Sequence, residues 1–189
     1  MPTDEMLRNL NPAQREEFLR LLEEPRAEHR IRLLNAGPHP LTTSPALVIK
    51  GDRVVAQALM SYAAPGTETD LTLTTAPSIR ASHSEKETRR TADAAAGRDA
   101  GYCRVDLSGL IRVVNQGERL AELDVRRYVV GAVDSADAEG AVTKAPPGTL
   151  AEPWSALDPL NAVTRITWKL RLAPSEAREL RFTWHYLTR

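Results

Sequence analysis

The chain is short of almost everything that marks chemistry. Of its 189 residues, Cys103 is the only cysteine. A single thiol excludes an intrachain disulfide and any metal centre built on several thiolates. The lysines are Lys50, Lys86, Lys144 and Lys169, so arginine carries nearly all the positive charge. Basic and acidic residues number 25 each, and the formal net charge is zero. That balance lacks the cationic excess with which nucleic-acid binders displace counterions from phosphates. It also removes the mutual repulsion that keeps copies of a charged protein apart, which favours self-association. No apolar run approaches the roughly 20 residues that span a bilayer as a helix. The opening Met1-Pro2-Thr3-Asp4-Glu5 is acidic and lacks the basic-then-apolar order of a secretory signal.

Motifs for catalysis are missing as well. The four histidines are His29, His39, His83 and His185, and none falls in a His-Glu-x-x-His arrangement. No Gly-x-Ser-x-Gly elbow and no glycine-rich phosphate loop occurs; Gly51, Gly66 and Gly117 stand alone in turns. His83, Glu85 and Glu87 share one face of a candidate strand and form the nearest approach to a metal-ligand set. Among such dense charge they read instead as an exposed polar face. Cys103 lies on the apolar phase of its strand and reads as an inert, buried thiol. Glu23-Glu24 is surface charge on a helix end. No carboxylate pair stands in environments that would push two pKa values apart, as acid–base catalysis requires. Arg89-Arg90 and Arg126-Arg127 are the basic doublets, and the first is offset by Glu85, Glu87 and Asp93. No catalytic, cofactor-binding or metal-binding residue is assigned.

What the chain does have is period-two patterning. Residues 1–26 read as a short helical segment: Thr3 and Asn11 are N-caps, Pro12 fits a first helical turn, and Leu10, Phe18, Leu21 and Leu22 form one stripe. From His29 onward the alternation becomes that of strands. Ile31 and Leu33 alternate with arginines, and Asn35-Ala36-Gly37-Pro38 ends the run. Pro45 to Ile49, Val54 to Met60, Leu71 to Leu73 and Ile79 to His83 follow as further strands. Residues 82–101 read as an exposed loop or a projecting arm. Cys103, Val105, Leu107, Ile111 and Val113 line one side of a long strand, with a bulge or bend expected at Gly109. Asn115-Gln116-Gly117-Glu118 should return the chain antiparallel beside it over Leu120 to Val130, with a bulge at Arg126-Arg127. Ile166, Trp168, Leu170 and Leu172 pair with Leu180, Phe182, Trp184 and Tyr186 as a terminal hairpin around Pro174-Ser175-Glu176. No internal repeat of fixed period is found. The expected fold is mostly β: an antiparallel β-sandwich over 27–189 with a short N-terminal helical segment.

Several segments resemble a known bacterial family. They are His29-Arg30-Ile31-Arg32-Leu33-Leu34-Asn35, Pro40-Leu41-Thr42-Thr43-Ser44-Pro45-Ala46-Leu47-Val48, Arg53 to Tyr62, and Arg165 to Glu176 running into Leu180-Arg181-Phe182. Together they resemble the C-terminal, uncharacterised β-sandwich domain of mucoidy inhibitor A-like proteins, over roughly residues 29 to 188. Ser175 departs from that pattern, standing where glycine is usual. The family has no agreed catalytic residues, so the resemblance carries none over. It implies a non-catalytic interaction or structural domain of an envelope-associated protein, periplasmic if the chain belongs to a longer exported protein and otherwise cytoplasmic. The expected partner is another protein or a second copy, with no nucleic acid and no membrane insertion. The competing readings are a metal-dependent hydrolase, for which His83, Glu85 and His185 would be the residues to test, and a carbohydrate-binding module using Tyr62 and Trp154. The contact surfaces expected are the segment 82–101, the proline-rich stretch 145–160 and an unpaired sheet edge.

Overall fold

A computed structural model describes residue 12 and residues 25–92, 101–144 and 161–188. The chain forms two compact units, one of them Arg26–Ile79 and the other containing Arg80–Arg189. Eleven strands are described: β1 (Glu28–Leu34), β2 (Ser44–Lys50), β3 (Arg53–Met60), β4 (Glu68–Thr75), β5 (Ile79–Thr91), β6 (Cys103–Asn115), β7 (Ala121–Val130), β8 (Ala132–Ala136), β9 (Ala141–Lys144), β10 (Val163–Leu172) and β11 (Ala177–Thr188). Every registered pairing is antiparallel. The protein is mostly β, an antiparallel β-sandwich, as the alternation predicts. The helical segment expected over 1–26, the stretch 145–160 and the centre of 82–101 lie outside the described residues, apart from Pro12 and the ends.

The larger unit is a two-sheet sandwich. One sheet has the order β5-β6-β11-β8 and the other β7-β10-β9. Alternate residues of each sheet point inward, and the core is made of Val105, Leu107, Ile111, Val113, Ile166, Trp168, Leu172, Leu180, Phe182 and Trp184. Trp168 of one sheet meets Phe182 of the other with ring centroids 6.1 Å apart and planes tilted by 56°. The Trp168 indole N–H donates to the Asp137 carbonyl at 2.8 Å, so its burial leaves this donor paired. Burying such a side chain is worth about 1.5–3 kcal/mol, which makes this layer the main stabilising element.

Two expected hairpins are corners instead. β7 does not lie beside β6; it pairs with β10, while β6 pairs with β11. Likewise β10 and β11 sit in opposite sheets, so their apolar faces meet across the sandwich rather than side by side. Asn115 explains both corners. Its backbone N–H donates to the Glu176 carbonyl at 2.9 Å. Its side-chain amide donates to the carbonyls of Arg119, Leu172 and Ala173, and its carbonyl accepts from the Gly117 N–H. One buried amide thus ties both turns together, and the backbone groups freed by leaving a ladder stay satisfied. The bulges expected at Gly109 and Arg126-Arg127 are absent, because both ladders run without a register shift. Gly109 is small for another reason: a Cβ there would run into the Phe182 ring. Val129 and Val130 are both buried, which is why the alternation loses its phase there. The first half of the expected arm is also ordinary sheet: residues up to Thr91 belong to edge strand β5.

The smaller unit repeats the design in reduced form. It pairs β1 with β4 and β2 with β3. Asn35 plays the part of Asn115. Its N–H donates to the Thr67 carbonyl at 2.9 Å. Its amide donates to the His39 and Ala63 carbonyls, and its side-chain oxygen accepts from the Gly37 N–H. Leu41 bridges Ala63 as Ala121 bridges Leu172. Leu34 faces Glu68 as Val114 faces Ala177. The turns correspond too, with Ala64-Pro65-Gly66-Thr67 matching Ala173-Pro174-Ser175-Glu176 and left-handed residues at Gly66 (φ 75°) and Ser175 (φ 62°). β1, β2, β3 and β4 therefore correspond to β6, β7, β10 and β11. The repeat has no fixed period because β8 and β9 are inserted between β7 and β10.

Candidate functional sites

The densest group of titratable side chains lies on the outer face of the four-stranded sheet. β6 alternates Arg104 and Asp106 outward with Val105 and Leu107 inward, and β11 turns His185 to the same outer side while Trp184 points into the core. Asp134 is the extra residue of a β-bulge, since the β8 register skips it between Ser135 and Val133. A bulge re-aims the side chain it carries. Here it brings the Asp134 carboxylate to 2.9 Å from His185 Nδ1. One ligand atom each from Asp106, Asp134 and His185 lies within 4.8 Å of the others, a spacing that suits a divalent ion. The Arg104 guanidinium, however, already lies 2.7 Å from Asp106 and 3.4 Å from Asp134. This built-in cation offsets one of the two carboxylate charges and opposes a second cation. The two carboxylates in turn raise the Arg104 pKa, chiefly through the Asp106 hydrogen bond. Beside the cluster, Thr88, Arg89, Thr91, Arg104 and Asp106 line an open, shallow groove of about 500 Å³. It is open, unlike the enclosed pockets that bind small molecules.

His83 and Glu85 do not form an exposed polar face. Both project from β5 toward the sandwich interior, where Glu85 meets Arg127 of the opposite sheet at 2.7 Å. The Glu85 and Arg127 side chains are 15% and 11% exposed, so the pair bridges the two sheets at their edges out of bulk water. Burial lowers the pKa of His83, and the nearby Arg127 charge lowers it further, against an opposing effect of Glu85. Glu87 pairs with Arg90 at 2.9 Å instead of joining them. The two β5 carboxylates of the expected ligand set are thereby engaged in separate ion pairs, and His185 is on the other face of the sheet. The sequence missed the Asp106–Asp134–His185 cluster because its members come from three strands and one of them occupies a bulge.

Cys103 is a free, half-buried thiol at the end of β6. Trp168 and Trp184 are core, as expected. His29 and His39 are exposed. Tyr62 is 60% exposed, and Trp154 lies outside the described residues.

The most unusual surface is in the smaller unit. Its β2–β3 pair turns Ala46, Val48, Ala56, Ala58 and Met60 to the better-covered side. Leu47, Ile49, Val54, Val55 and Leu59 are instead 56%, 58%, 62%, 53% and 66% exposed. Both leucines, the isoleucine and two valines of the pair therefore face solvent, while three of the five residues on the covered side are alanines. The sequence showed these residues as strand formers; only the pairing reveals that they gather on one uncovered face.

The fold defines a two-unit, antiparallel β-sandwich protein. No protein-family model matches the chain, and neither a curated protein nor a solved structure matches it.

Proposed function

We propose that this chain is a non-catalytic protein-interaction domain of an envelope-associated bacterial protein. The observation that carries this reading is the uncovered aliphatic face of β2–β3. Contiguous exposed apolar surface is costly in water and marks contact sites in soluble proteins. The ion-paired state of the charged clusters supports the same reading. Arg104 pairs with both Asp106 and Asp134, and Arg127 pairs with Glu85, so these acids are engaged by internal cations. The likeness of residues 29–188 to the C-terminal domain of mucoidy inhibitor A-like proteins supports the envelope assignment.

The test is cross-linking in the native host with the wild-type chain and the Leu47→Lys/Leu59→Lys double variant. Both positions are surface positions, so the variant should keep the wild-type circular dichroism spectrum. The expected outcome is a cross-linked species in the wild type that the variant loses. Identical cross-links in both, or none in the wild type, would refute the reading.

A further inference from the structure

The internal repeat shows what the aliphatic face corresponds to in the larger unit. In the larger unit, β7–β10 occupies the position that β2–β3 holds in the smaller one. Its outer face is solvent-adapted: Glu122 and Asp124 of β7 are exposed, as are Lys169 and Arg171 of β10. Arg171 lies 2.7 Å from Glu122, and Arg126 lies 3.7 Å from Asp124. By the register of the repeat, the exposed Pro45, Leu47 and Leu59 of β2–β3 stand where Val125, Arg127 and Trp168 stand in β7–β10, on its inward side rather than its charged outer one. The aliphatic face is thus the equivalent of a side that is covered in the larger unit, left open here.

We propose that a second copy of this chain covers that face, through a two-fold interface in which the β2–β3 pairs stack face to face. This rests on the interaction reading above and names the partner. Three features favour a second copy. The face carries no charged side chain, and Lys50, Asp52 and Arg53 at the hairpin turn mix both signs, so no charge pattern selects a differently charged partner. The formal net charge of zero leaves no long-range repulsion between copies. The area also fits. Five aliphatic side chains giving roughly 100 Å² each bury about 1,000 Å² in total across a two-fold, the lower bound of a specific interface. Two sheets meeting this way stack about 10 Å apart, the spacing of any aligned sandwich. A two-fold contact uses the same patch on both copies, which suits one face per chain.

The test is sedimentation equilibrium of the full chain from low to high micromolar concentration. The wild type is expected to double its mass across that range. Leu47 sits mid-strand, so a two-fold brings it close to its own counterpart. Leu47→Lys and Leu47→Glu are therefore each expected to stay monomeric with unchanged circular dichroism, and an equimolar mixture to regain the dimer. Leu59→Lys serves as a second disrupting variant. A monomeric wild type, variants as dimeric as the wild type, or a mixture that stays monomeric would each overturn the two-fold. A monomeric wild type whose host cross-links still vanish on substituting the face would sink the second copy while sparing the interaction reading.

Discussion

Single side chains decide more of this molecule than composition suggests, and the two corner asparagines are the clearest case. Asn115 is 1% exposed and makes four side-chain hydrogen bonds to backbone. Removing it strands three carbonyls and one N–H, each costing about 1–3 kcal/mol when buried without a partner. Asn115→Ala is expected to lower stability by roughly 3 kcal/mol in urea unfolding, allowing for groups that regain water. The Asn-x-Gly spacing is plain in the sequence, but its role was hidden, because the partners at Leu172 and Ala173 are far along the chain. His83 yields a second prediction at this scale. Its folded-state pKa lies below the ordinary 6.5, through burial and then the Arg127 charge. Between those values the unfolded chain binds more protons than the folded one, so stability rises with pH there. The protein should lose stability as pH falls from about 6.5 toward the folded-state value. His83→Gln should flatten that part of a stability–pH profile. An unchanged slope would contradict the assignment.

At the scale of elements, the sandwich is held by contacts between sheets, and its edges are pinned by charge. The Glu85–Arg127 pair joins β5 to β7 at 2.7 Å with both side chains largely buried. Breaking a buried pair leaves an uncompensated charge, at about 3–5 kcal/mol when fully enclosed. Residual exposure reduces this, so Glu85→Gln should cost roughly 2–3 kcal/mol. Replacing both partners by apolar residues should cost less than the single change, and a double-mutant cycle measures the difference. Most strand positions were legible, because alternation is a local property of a half-buried strand. However, β8, β9 and the second half of β5 are mostly exposed and carry no apolar alternation, and in sequence they read as irregular stretch or arm. Strand partners were not legible. The β6–β7 and β10–β11 turns look like hairpin turns in sequence, yet each is a corner between sheets. The apolar residues were identified correctly, but they face across the core rather than side by side. A turn of a few residues does not reveal which sheet its second strand joins.

At the scale of the whole molecule, the two units repeat one design with unequal cores. In the larger unit Val105, Ile166, Trp168, Leu172, Leu180 and Phe182 are essentially inaccessible. In the smaller unit the fully buried apolar residues described are Ala63, Leu71 and Ala76. Local opening is easiest where apolar burial is least. Amides of β1–β4 should therefore exchange with deuterium well before those of β6, β10 and β11; equal protection would show that the smaller core is not the weaker one. The sequence by itself determined the mostly-β class, the positions of most strands, the principal apolar core of the larger unit and the lack of familiar catalytic motifs, since each rests on near-neighbour patterning. Tertiary structure alone decided which strands pair, that the chain repeats itself, where Asp106, Asp134 and His185 meet, and that Leu47 and Leu59 face outward. Alternation says that two faces differ; only the packing of distant strands says which one is covered.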